Sequence, residues 1–250
     1  MADAQYTPVV LVACGSFNPP TVGHLRMLEL ARDAMCSLGA DVLGAYLSPV
    51  GDAYWKPGLA SAQHRVRMCE LAAESSDFTM VDGWEAAQPT YTRSLFVLQR
   101  MQRQLAEIWA GGLPARSNTI VAAGSTVDAG SRNLTPPRTI LVCGGDVLHS
   151  MTDPRAWKQD LLRTLLTEHG VVCITRDGSE ILDLLNTPGT LVHELQEHIT
   201  VVQEPIPSAL SSTLVRQELA QNRSVKYFVA DAVIQYVSQN RLYFCPAPAA

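Results

Sequence analysis

The sequence has no apolar stretch long enough to cross a membrane and no surplus of positive charge. Its longest apolar runs fall well short of the roughly 20 residues that a membrane helix needs. The 19 Lys and Arg residues are outnumbered by 24 Asp and Glu, which gives a net charge of −5. Such a chain lacks the general basic surface that binds nucleic acid or anionic membranes. We therefore expect no nucleic-acid partner and no membrane partner.

Two glycine-rich motifs that usually mark nucleotide sites are also absent. The chain contains neither GxGxxG nor GxxxxGKS/T, so a conventional dinucleotide site or P-loop lacks sequence support. The six cysteines include no CxxC pair. Cys14, Cys143 and Cys173 lie in apolar, strand-like runs, where cysteine acts as a small hydrophobic residue. The cysteines therefore predict a reducing compartment rather than a disulfide framework.

The N-terminal residues lack the features of a targeting segment. The residues before Val9 are largely polar, without the basic region and the apolar region of a signal peptide. Residues 1–8 contain Asp3 and no arginine, unlike a mitochondrial presequence. We therefore predict a cytoplasmic and/or nuclear location, with no signal peptide and no clear mitochondrial presequence.

Length and composition predict a single α/β domain over residues 1–250. Apolar residues make up 47% of the chain and charged residues 17%, which allows a sizeable buried core. Residues 110–138 are rich in Gly, Pro and Ser, and loops of this length are usually functional or disordered. We predict a flexible surface insertion there, with a short strand-like piece at Ile120–Ala123, and a loose tail at 245–250.

Strand-like apolar runs alternate with helical patterns along the rest of the chain, which predicts a parallel sheet covered by helices. The predicted strands are Val9–Cys14, Val42–Leu47, Phe78–Val81, Thr139–Cys143, Val171–Thr175 and Ile199–Val202. The predicted helical segments are 22–38, 61–74, 92–109, 157–169, 178–198, 211–221 and 229–239. Of these, we expect 178–198 to be peripheral.

Four loops follow predicted strands, and we expect them to meet at the carboxyl edge of the sheet. Ligands bind at that edge in open parallel sheets. These loops are 15–24, 48–58, 144–149 and 205–213.

The first of these loops has the features of a phosphate site. The buried strand Val9–Cys14 leads into a loop that Pro19 and Pro20 stiffen. Thr21 suits an N-cap, which puts His24 at the third helical position. A helix N-terminus favours anions, and His24 can hydrogen-bond a phosphate there. The alternative is that His24 simply lies near a helix start and that the loop is only a turn.

A second potential phosphate element begins another helix. The run Ser211-Ser212-Thr213 offers hydroxyl caps and free amides, and Arg216 follows on the same helical face. The planar guanidinium group suits phosphate oxygens. The alternative is an ordinary capped helix with a solvated arginine. In another loop, Asp146 follows two glycines and can either accept hydrogen bonds from ribose hydroxyls or belong to a plain turn and N-cap.

Five segments, taken as a set, resemble one family. The loop GSFNPPTVGH at 15–24 is similar to the nucleotide-binding signature of the nucleotidyltransferase superfamily. The chain resembles in particular the nicotinamide/nicotinate mononucleotide adenylyltransferases of eukaryotic type. The other segments that carry this resemblance are SPVGDAYWKPGL at 48–59, HRVRMCELA at 64–72, CGGDVLHS at 143–150 and ALSSTLVR at 209–216. The resemblance spans most of the chain and implies a Rossmann-like, doubly wound parallel sheet of the nucleotidyltransferase type.

The resemblance also implies an activity. This is adenylyl transfer from ATP to nicotinamide mononucleotide (NMN) and/or nicotinate mononucleotide (NaMN), giving NAD or deamido-NAD and pyrophosphate in NAD biosynthesis. Mg²⁺ or a similar divalent cation is implied as the cofactor. No dense carboxylate cluster is visible, so we predict no protein metal site and expect the ATP phosphates to hold the ion. A homo-oligomer is implied as well.

The same resemblance assigns the expected site residues. Catalytic roles fall to His24, Lys56 and Arg216, with Lys56 reaching the phosphates, although a solvated loop lysine is the alternative. Trp157 and Tyr91 are expected to stack on the charged pyridinium, while Trp157 equally suits a core position. The remaining expected residues are Gly15, Ser16, Phe17, Thr21, Gly23, Ser211, Ser212 and Thr213 for ATP, Gly144, Asp146 and Arg176 for adenosine, and Tyr54, Thr92 and Ser94 for the pyridine nucleotide.

Two other functions stay open at this point. One is another nucleotidyltransferase, such as a phosphopantetheine adenylyltransferase, which shares the first loop. The segments 48–59 and 84–94 favour the pyridine nucleotide instead. The other is a non-catalytic nucleotide-binding or chaperone-like protein on the same fold. Retention of His24, Lys56 and Arg216 argues against lost catalysis.

Overall fold

The computed structural model describes residues 7–110, 135–176, 178–206 and 208–244. Most of the insertion predicted at 110–138, with its strand-like piece at Ile120–Ala123, lies outside the described residues, as does the tail predicted at 245–250. Among the described helices, none combines the length and the apolar character that crossing a membrane requires.

The described strands form one parallel sheet. They are β1 (Thr7–Gly15), β2 (Ala40–Pro49), β3 (Thr79–Val81), β4 (Arg138–Gly144), β5 (Val171–Thr175) and β6 (Ile199–Gln203). Their order is β3-β2-β1-β4-β5-β6, and every pairing is parallel. The order in which strands are added reverses between β1 and β4, which makes this the switch point of a doubly wound sheet. The predicted fold class is confirmed.

Helices connect the strands and cover both faces of the sheet. They are α1 (Val22–Ser37), α2 (Ala62–Ala73), α3 (Ser94–Ala110), α4 (Gly145–Ser150), α5 (Gln159–Thr164), α6 (Gly178–Leu185), α7 (Leu191–Glu194), α8 (Ser212–Ala220) and α9 (Asp231–Gln239). Shorter helical turns span Glu85–Ala87, Leu165–His169 and Gln196–His198. Each predicted strand and helical segment is present, with ends that shift by a few residues.

Burial on both faces explains why the central strand is continuously apolar. In β1, Val10 and Val12 pack in the same core cluster as Leu98 of α3. Val9 and Leu11 point the other way and pack in the cluster that contains α1. All four β1 side chains are at most 1% exposed. A strand covered on both faces needs an unbroken apolar run rather than an alternating one.

The segment 178–198 is not peripheral, and that prediction was wrong. Ile181 and Leu185 of α6 and Leu191 and Val192 of α7 are buried in the core cluster that also holds α3. Their side chains form an apolar stripe with helical spacing, which covers the sheet near β6. The turn between the two helices and its polar neighbours resembled a surface connection, but the apolar stripe determines where the segment packs.

A smaller apolar cluster positions α8. Met68 of α2, Val215 of α8 and Val233 of α9 are fully buried within it. The start of α8 is thereby held beside the loop that follows β1, although the two segments are far apart in the chain.

Candidate active site

A cleft of about 770 Å³ opens at the carboxyl edge of the sheet, across the switch point. Its volume is within the range of small-molecule sites. The loops expected to meet at this edge do so, as far as the structure describes them. Every residue predicted for the catalytic, phosphate, adenosine and pyridine roles lines this one cleft.

The first turn of α1 holds the His24 ring in one orientation. The backbone N–H of the N-cap Thr21 donates to His24 Nδ1 at 2.9 Å. The Phe17 ring packs edge-on against the imidazole, with centroids 5.2 Å apart. Because a backbone N–H can only donate, the neutral ring carries its proton on Nε2. Burial lowers the pKa of His24 to about 4, so at pH 7 the residue offers the cleft a neutral N–H donor.

Asn18 connects two of the loops, and the sequence interpretation did not single it out. The residue is 1% exposed. Its Nδ2 donates to the Gly58 carbonyl at 2.9 Å, and its Oδ1 accepts from the Ala60 N–H at 3.1 Å. The Tyr243 hydroxyl donates to the same Oδ1 at 2.6 Å. Asn18 therefore holds the loop after β1 against the loop that carries Lys56.

Arg65 of α2 is a second connector that the sequence interpretation missed. It is fully buried. Its guanidinium donates to the carbonyls of Ala60 at 2.8 Å, Ser16 at 3.1 Å and Val50 at 2.5 Å. These bonds fix the loops after β1 and β2 relative to each other. No local signal separates Arg65 from the exposed Arg67 two residues later, because the difference is made by distant loops.

The start of α8 is hydrogen-bonded directly to the loop after β1. Ser212 Oγ donates to the Pro19 carbonyl at 2.8 Å. Arg216 Nη1 donates to the Asn18 carbonyl at 2.8 Å, and its Nη2 to Thr213 Oγ1 at 3.3 Å. The first N–H groups of a helix have no partner within the helix. Two helix N-termini therefore meet at one wall of the cleft, each with the partial positive charge of a helix start.

The loop after β2 carries Lys56, the lysine that is predicted to reach the phosphates. Lys56 is exposed, lines the cleft, and makes no side-chain hydrogen bond or ion pair with any described residue. Its neighbour Trp55 is 85% exposed and does not line the cleft. Tyr54 does, and its ring lies 5.7 Å from that of Tyr91. The ammonium of Lys56 is therefore available to a ligand.

The residues predicted for adenosine follow β4 and β5. Helix α4 begins directly after Gly144, so Asp146 lies in its first turn rather than at the N-cap, and its side chain is exposed. A Cβ at Gly144 would come within 2.8 Å of Asp146 Oδ1, so the Asp146 carboxylate lies directly beside this glycine. Arg176 Nη2 donates to the Leu210 carbonyl at 2.5 Å. This bond links the end of β5 to the segment that precedes α8.

The segment Tyr91–Ser94, just before α3, lines the cleft together with Trp157. Tyr91 is half exposed. Trp157 Nε1 donates to Ser150 Oγ at 3.0 Å, and its ring also packs against the main core cluster. One part of the Trp157 ring therefore belongs to the core, and another part is accessible from the cleft, where its contact with a pyridine ring stays a prediction.

Glu85 lines the cleft and was not anticipated. It is 2% exposed, and Ser48 Oγ donates to its Oε2 at 2.8 Å. Burial raises the pKa of Glu85 to about 7, although the hydrogen bond from Ser48 acts to lower it. Glutamate is rarely buried, and its neighbours Trp84 and Ala86 carry no pairing group, so the sequence carried no signal for this buried carboxyl group.

Replacing Glu85 with glutamine is expected to flatten part of the pH dependence of stability. The folded protein binds the Glu85 proton more tightly than the unfolded chain does, so ionisation costs stability as pH rises from about 4.5 to about 7. Glu85→Gln avoids that cost. Its free energy of unfolding, relative to the wild type, should rise by about 3 kcal/mol across this interval. Urea unfolding at a series of pH values measures this difference.

The matched control for this measurement is Glu107→Gln. Glu107 is an exposed carboxylate on α3, outside the cleft. Its replacement should leave the pH dependence of unfolding unchanged. If Glu85→Gln and Glu107→Gln gave the same difference from the wild type at every pH, the tight proton binding by Glu85 would be refuted.

The charged groups of the cleft favour an anionic ligand. Among the described residues, no three His, Cys, Asp or Glu side chains come together as a metal site. The cleft collects the cations Lys56, Arg93, Lys158, Arg176 and Arg216 against the carboxyl groups of Glu85, Asp146 and Glu204. Of the cleft residues, His24, Lys56 and Arg216 form the donor set predicted for phosphate. This donor set fits a phosphate chain, whose own oxygens can carry a divalent cation.

Comparison of sequences gives clear matches. A family model described as Cytidylyltransferase-like matches residues 12–218. A nicotinamide/nicotinic acid mononucleotide adenylyltransferase of Oryza sativa subsp. japonica is 43% identical over 94% of this chain and 85% of its own length. The protein of the same name from Arabidopsis thaliana is 42% identical over 95% of this chain and 90% of its own length. Nicotinamide/nicotinic acid mononucleotide adenylyltransferase 1 of Bos taurus is 36% identical over 97% of this chain and 91% of its own length.

Comparison of structures supports the fold. A Plasmodium falciparum nicotinic acid mononucleotide adenylyltransferase complexed with NaAD matches with a TM-score of 0.61 at 14% identity, covering 94% of this chain and 97% of that one. A crystal structure from Vibrio parahaemolyticus matches with a TM-score of 0.53 at 12% identity, covering 95% of this chain and 96% of that one. At such low identity these likenesses concern the fold alone.

Proposed function

This chain belongs to the nicotinamide/nicotinic acid mononucleotide adenylyltransferases, and we propose that it transfers the adenylyl group of ATP to NMN and/or NaMN. A phosphate oxygen of the mononucleotide forms a bond to the α-phosphorus of ATP. The bond from that phosphorus to the bridging oxygen of the β-phosphate breaks, and its electron pair leaves with pyrophosphate. The dinucleotide product is NAD or deamido-NAD. The chain is thus a nucleotidyltransferase of NAD biosynthesis.

The contact between the starts of α1 and α8 is the observation that carries this proposal. Ser212 and Arg216 donate to carbonyls of the loop that positions His24. One imidazole, one guanidinium and two sets of helix N–H groups therefore face the same space. A triphosphate is a ligand that uses all of these donors at once.

The reaction requires little acid–base chemistry from the protein. The second pKa of a phosphate monoester is about 6, so the attacking phosphate is largely ionised at pH 7. Catalysis then depends on aligning the two nucleotides and on neutralising the charge around the transferred phosphorus. The neutral His24 suits this task, because its Nε2–H is ready to donate without first gaining a proton.

Each cationic group has a proposed place along the triphosphate. His24 Nε2 donates to the α-phosphate, where charge develops during transfer. Lys56, Arg216 and the first amides of α8 hold the β- and γ-phosphates. The exposed Lys56 can follow the pyrophosphate as it leaves. The floor beneath the phosphates is formed by the backbone of Gly15, Ser16, Phe17, Thr21 and Gly23. The facing wall is formed by Ser211, Ser212 and Thr213.

Mg²⁺ or a similar divalent cation is proposed to enter with ATP. When bound, it neutralises part of the phosphate charge, and the phosphate oxygens and water supply most of its ligands. The donors that line the cleft fit this arrangement, because they address phosphate oxygens rather than forming a cage around a metal.

The two ends of the cleft are proposed to hold the two nucleosides. Asp146 accepts hydrogen bonds from ribose hydroxyls, Gly144 lets the adenosine approach the backbone, and Arg176 lies on the purine side. Trp157 and Tyr91 contact the pyridinium face, an interaction of about 1–2 kcal/mol in a partly desolvated site. Tyr54, Thr92 and Ser94 complete the pyridine end.

Three further proposals concern the protein as a whole. We expect residues 1–250 to act as one catalytic domain, with the segment 110–138 as an insertion. We expect a homo-oligomer. The location proposed from the sequence is the cytoplasm and/or the nucleus.

Pyrophosphate release tests the proposed function. The purified protein is incubated with Mg²⁺ and ATP and, in parallel, with NMN, NaMN, phosphopantetheine or nicotinamide riboside. We expect pyrophosphate in equal amounts with dinucleotide for NMN and/or NaMN. The riboside is the matched control, because it lacks the attacking phosphate and should give none.

The alternatives correspond to different outcomes of the same assay. Release with phosphopantetheine alone would assign the chain to another adenylyltransferase. Binding of ATP without release for any acceptor would indicate a nucleotide-binding protein that has no transferase activity. Either result would overturn the proposal.

A further inference from the structure

We propose that Arg93 recognises the carboxylate of the acid substrate and thereby favours NaMN over NMN. This inference rests on the proposed function, since it concerns which pyridine mononucleotide the same cleft prefers. The two substrates differ at one substituent of the pyridine ring, a carboxylate in NaMN and a neutral carboxamide in NMN. A fixed cation at that end of the cleft is the simplest device that distinguishes them.

Arg93 lies within the segment that forms the pyridine end. Its neighbours Thr92 and Ser94 both line the cleft, and so does Arg93 itself. The residue is half-buried. Of the described residues, none forms a side-chain hydrogen bond or an ion pair with its guanidinium group. This differs from Arg176 and Arg216, whose guanidinium groups already donate to protein carbonyls.

The charge of Arg93 acts within the pyridine end. Burial raises the pKa of the Tyr91 hydroxyl, and the positive charge of Arg93 acts to lower that pKa. The Tyr91 ring also lies 5.7 Å from the Tyr54 ring. Arg93 therefore provides positive potential beside the two tyrosines that are proposed to contact the pyridine ring.

Glu85 is the nearby group of opposite charge and has to be weighed against Arg93. Its carboxyl group accepts from Ser48 Oγ and is 2% exposed. Burial raises the pKa of Glu85 to about 7, so near neutral pH a substantial fraction of it carries no charge. No ion pair joins Glu85 to Arg93. Near neutral pH the positive charge of the Arg93 guanidinium therefore outweighs the negative charge of Glu85 at this end of the cleft.

Lys158 also lines the cleft, next to Trp157, but it is a weaker candidate for this role. Its side chain is exposed, so solvent screens the charge. It is also a point charge on a flexible stem, whereas the planar fork of Arg93 matches the two oxygens of a carboxylate. The carboxylate of NaMN is therefore assigned to Arg93.

The experiment compares kcat/KM for NaMN and for NMN at saturating ATP in the wild type and in Arg93→Gln. A hydrogen bond to a charged group contributes enough for a change of about 10-fold or more. We expect the NaMN/NMN ratio of kcat/KM to fall by about that factor in Arg93→Gln, mainly through a higher KM for NaMN. Turnover of NMN should change by less than about 2-fold. Arg93→Lys should restore part of the ratio.

The matched control is Arg103→Gln, which removes one exposed positive charge from the same region of the chain, on α3 and outside the cleft. It should leave the ratio unchanged. An unchanged ratio in Arg93→Gln, an equal loss for both substrates, or a fall in the ratio only in Lys158→Gln would each overturn the inference. Failure of the wild type to use either mononucleotide would instead overturn the proposed function.

Discussion

A His24→Ala enzyme is expected to lose about 10²–10³-fold in kcat, because a donor aimed at developing phosphate charge typically contributes that much. Binding of ATP should change little, since Lys56, Arg216 and the α8 amides remain. The imidazole is held by the Thr21 N–H and by the Phe17 ring, so its Nε2–H is oriented before the substrate arrives. Steady-state kinetics with NMN or NaMN, together with ATP titration, separate the two effects.

Two variants keep this prediction falsifiable. His24 also caps α1 by accepting from the Thr21 N–H. Glutamine at the third helical position can accept the same bond, so His24→Gln tests the imidazole with the cap retained, and it should remain strongly impaired. His149→Ala removes an exposed histidine outside the cleft and should keep normal turnover. A folded His24→Ala enzyme with wild-type kcat would refute the catalytic assignment.

An Arg65→Met protein is expected to lose about 3–5 kcal/mol in the free energy of unfolding. Arg65 is fully buried and donates to the carbonyls of Ala60, Ser16 and Val50. Methionine fills much of the same volume but leaves these carbonyls without their donor, and each buried unsatisfied group costs about 1–3 kcal/mol. Denaturant unfolding at constant pH measures the loss. Turnover should fall as well, because the loops after β1 and β2 lose their connection.

The control for this prediction is on the same helix. Arg67 is exposed and pairs with Glu70, one turn away. Exposed pairs of this kind contribute little to stability because solvent screens them, so Arg67→Met should be close to neutral. Equal destabilisation by Arg65→Met and Arg67→Met would show that the buried hydrogen bonds of Arg65 do not hold the loops together.

Much of the cleft could be predicted from the sequence, because its main parts are local. The buried strand, the proline-stiffened loop and the N-cap before His24 follow one another within a few residues, and short-range backbone preferences are enough to specify them. The serine-rich start of α8 is local in the same way. The resemblance to a known family then related these separate parts to one another.

The residues that were missed act over long distances in the chain. Arg65 and Arg67 look alike in sequence, yet one is buried among loop carbonyls and the other is in water. Glu85 became a buried carboxyl group because Ser48 and the sheet lie against it. The apolar stripe on 178–198 was visible, but only packing against the sheet showed that it belongs to the core.

The sequence by itself determined which segments become strands and helices, and which helices begin with residues suited to phosphate. The tertiary structure alone decided that two such beginnings, separated by 193 residues at the Pro19–Ser212 hydrogen bond, form one site. The physical reason is that strand and helix patterns report local backbone preference and the direction of burial. The order of the strands and the burial of Arg65 and Glu85 arise instead from packing between elements that are distant in the chain.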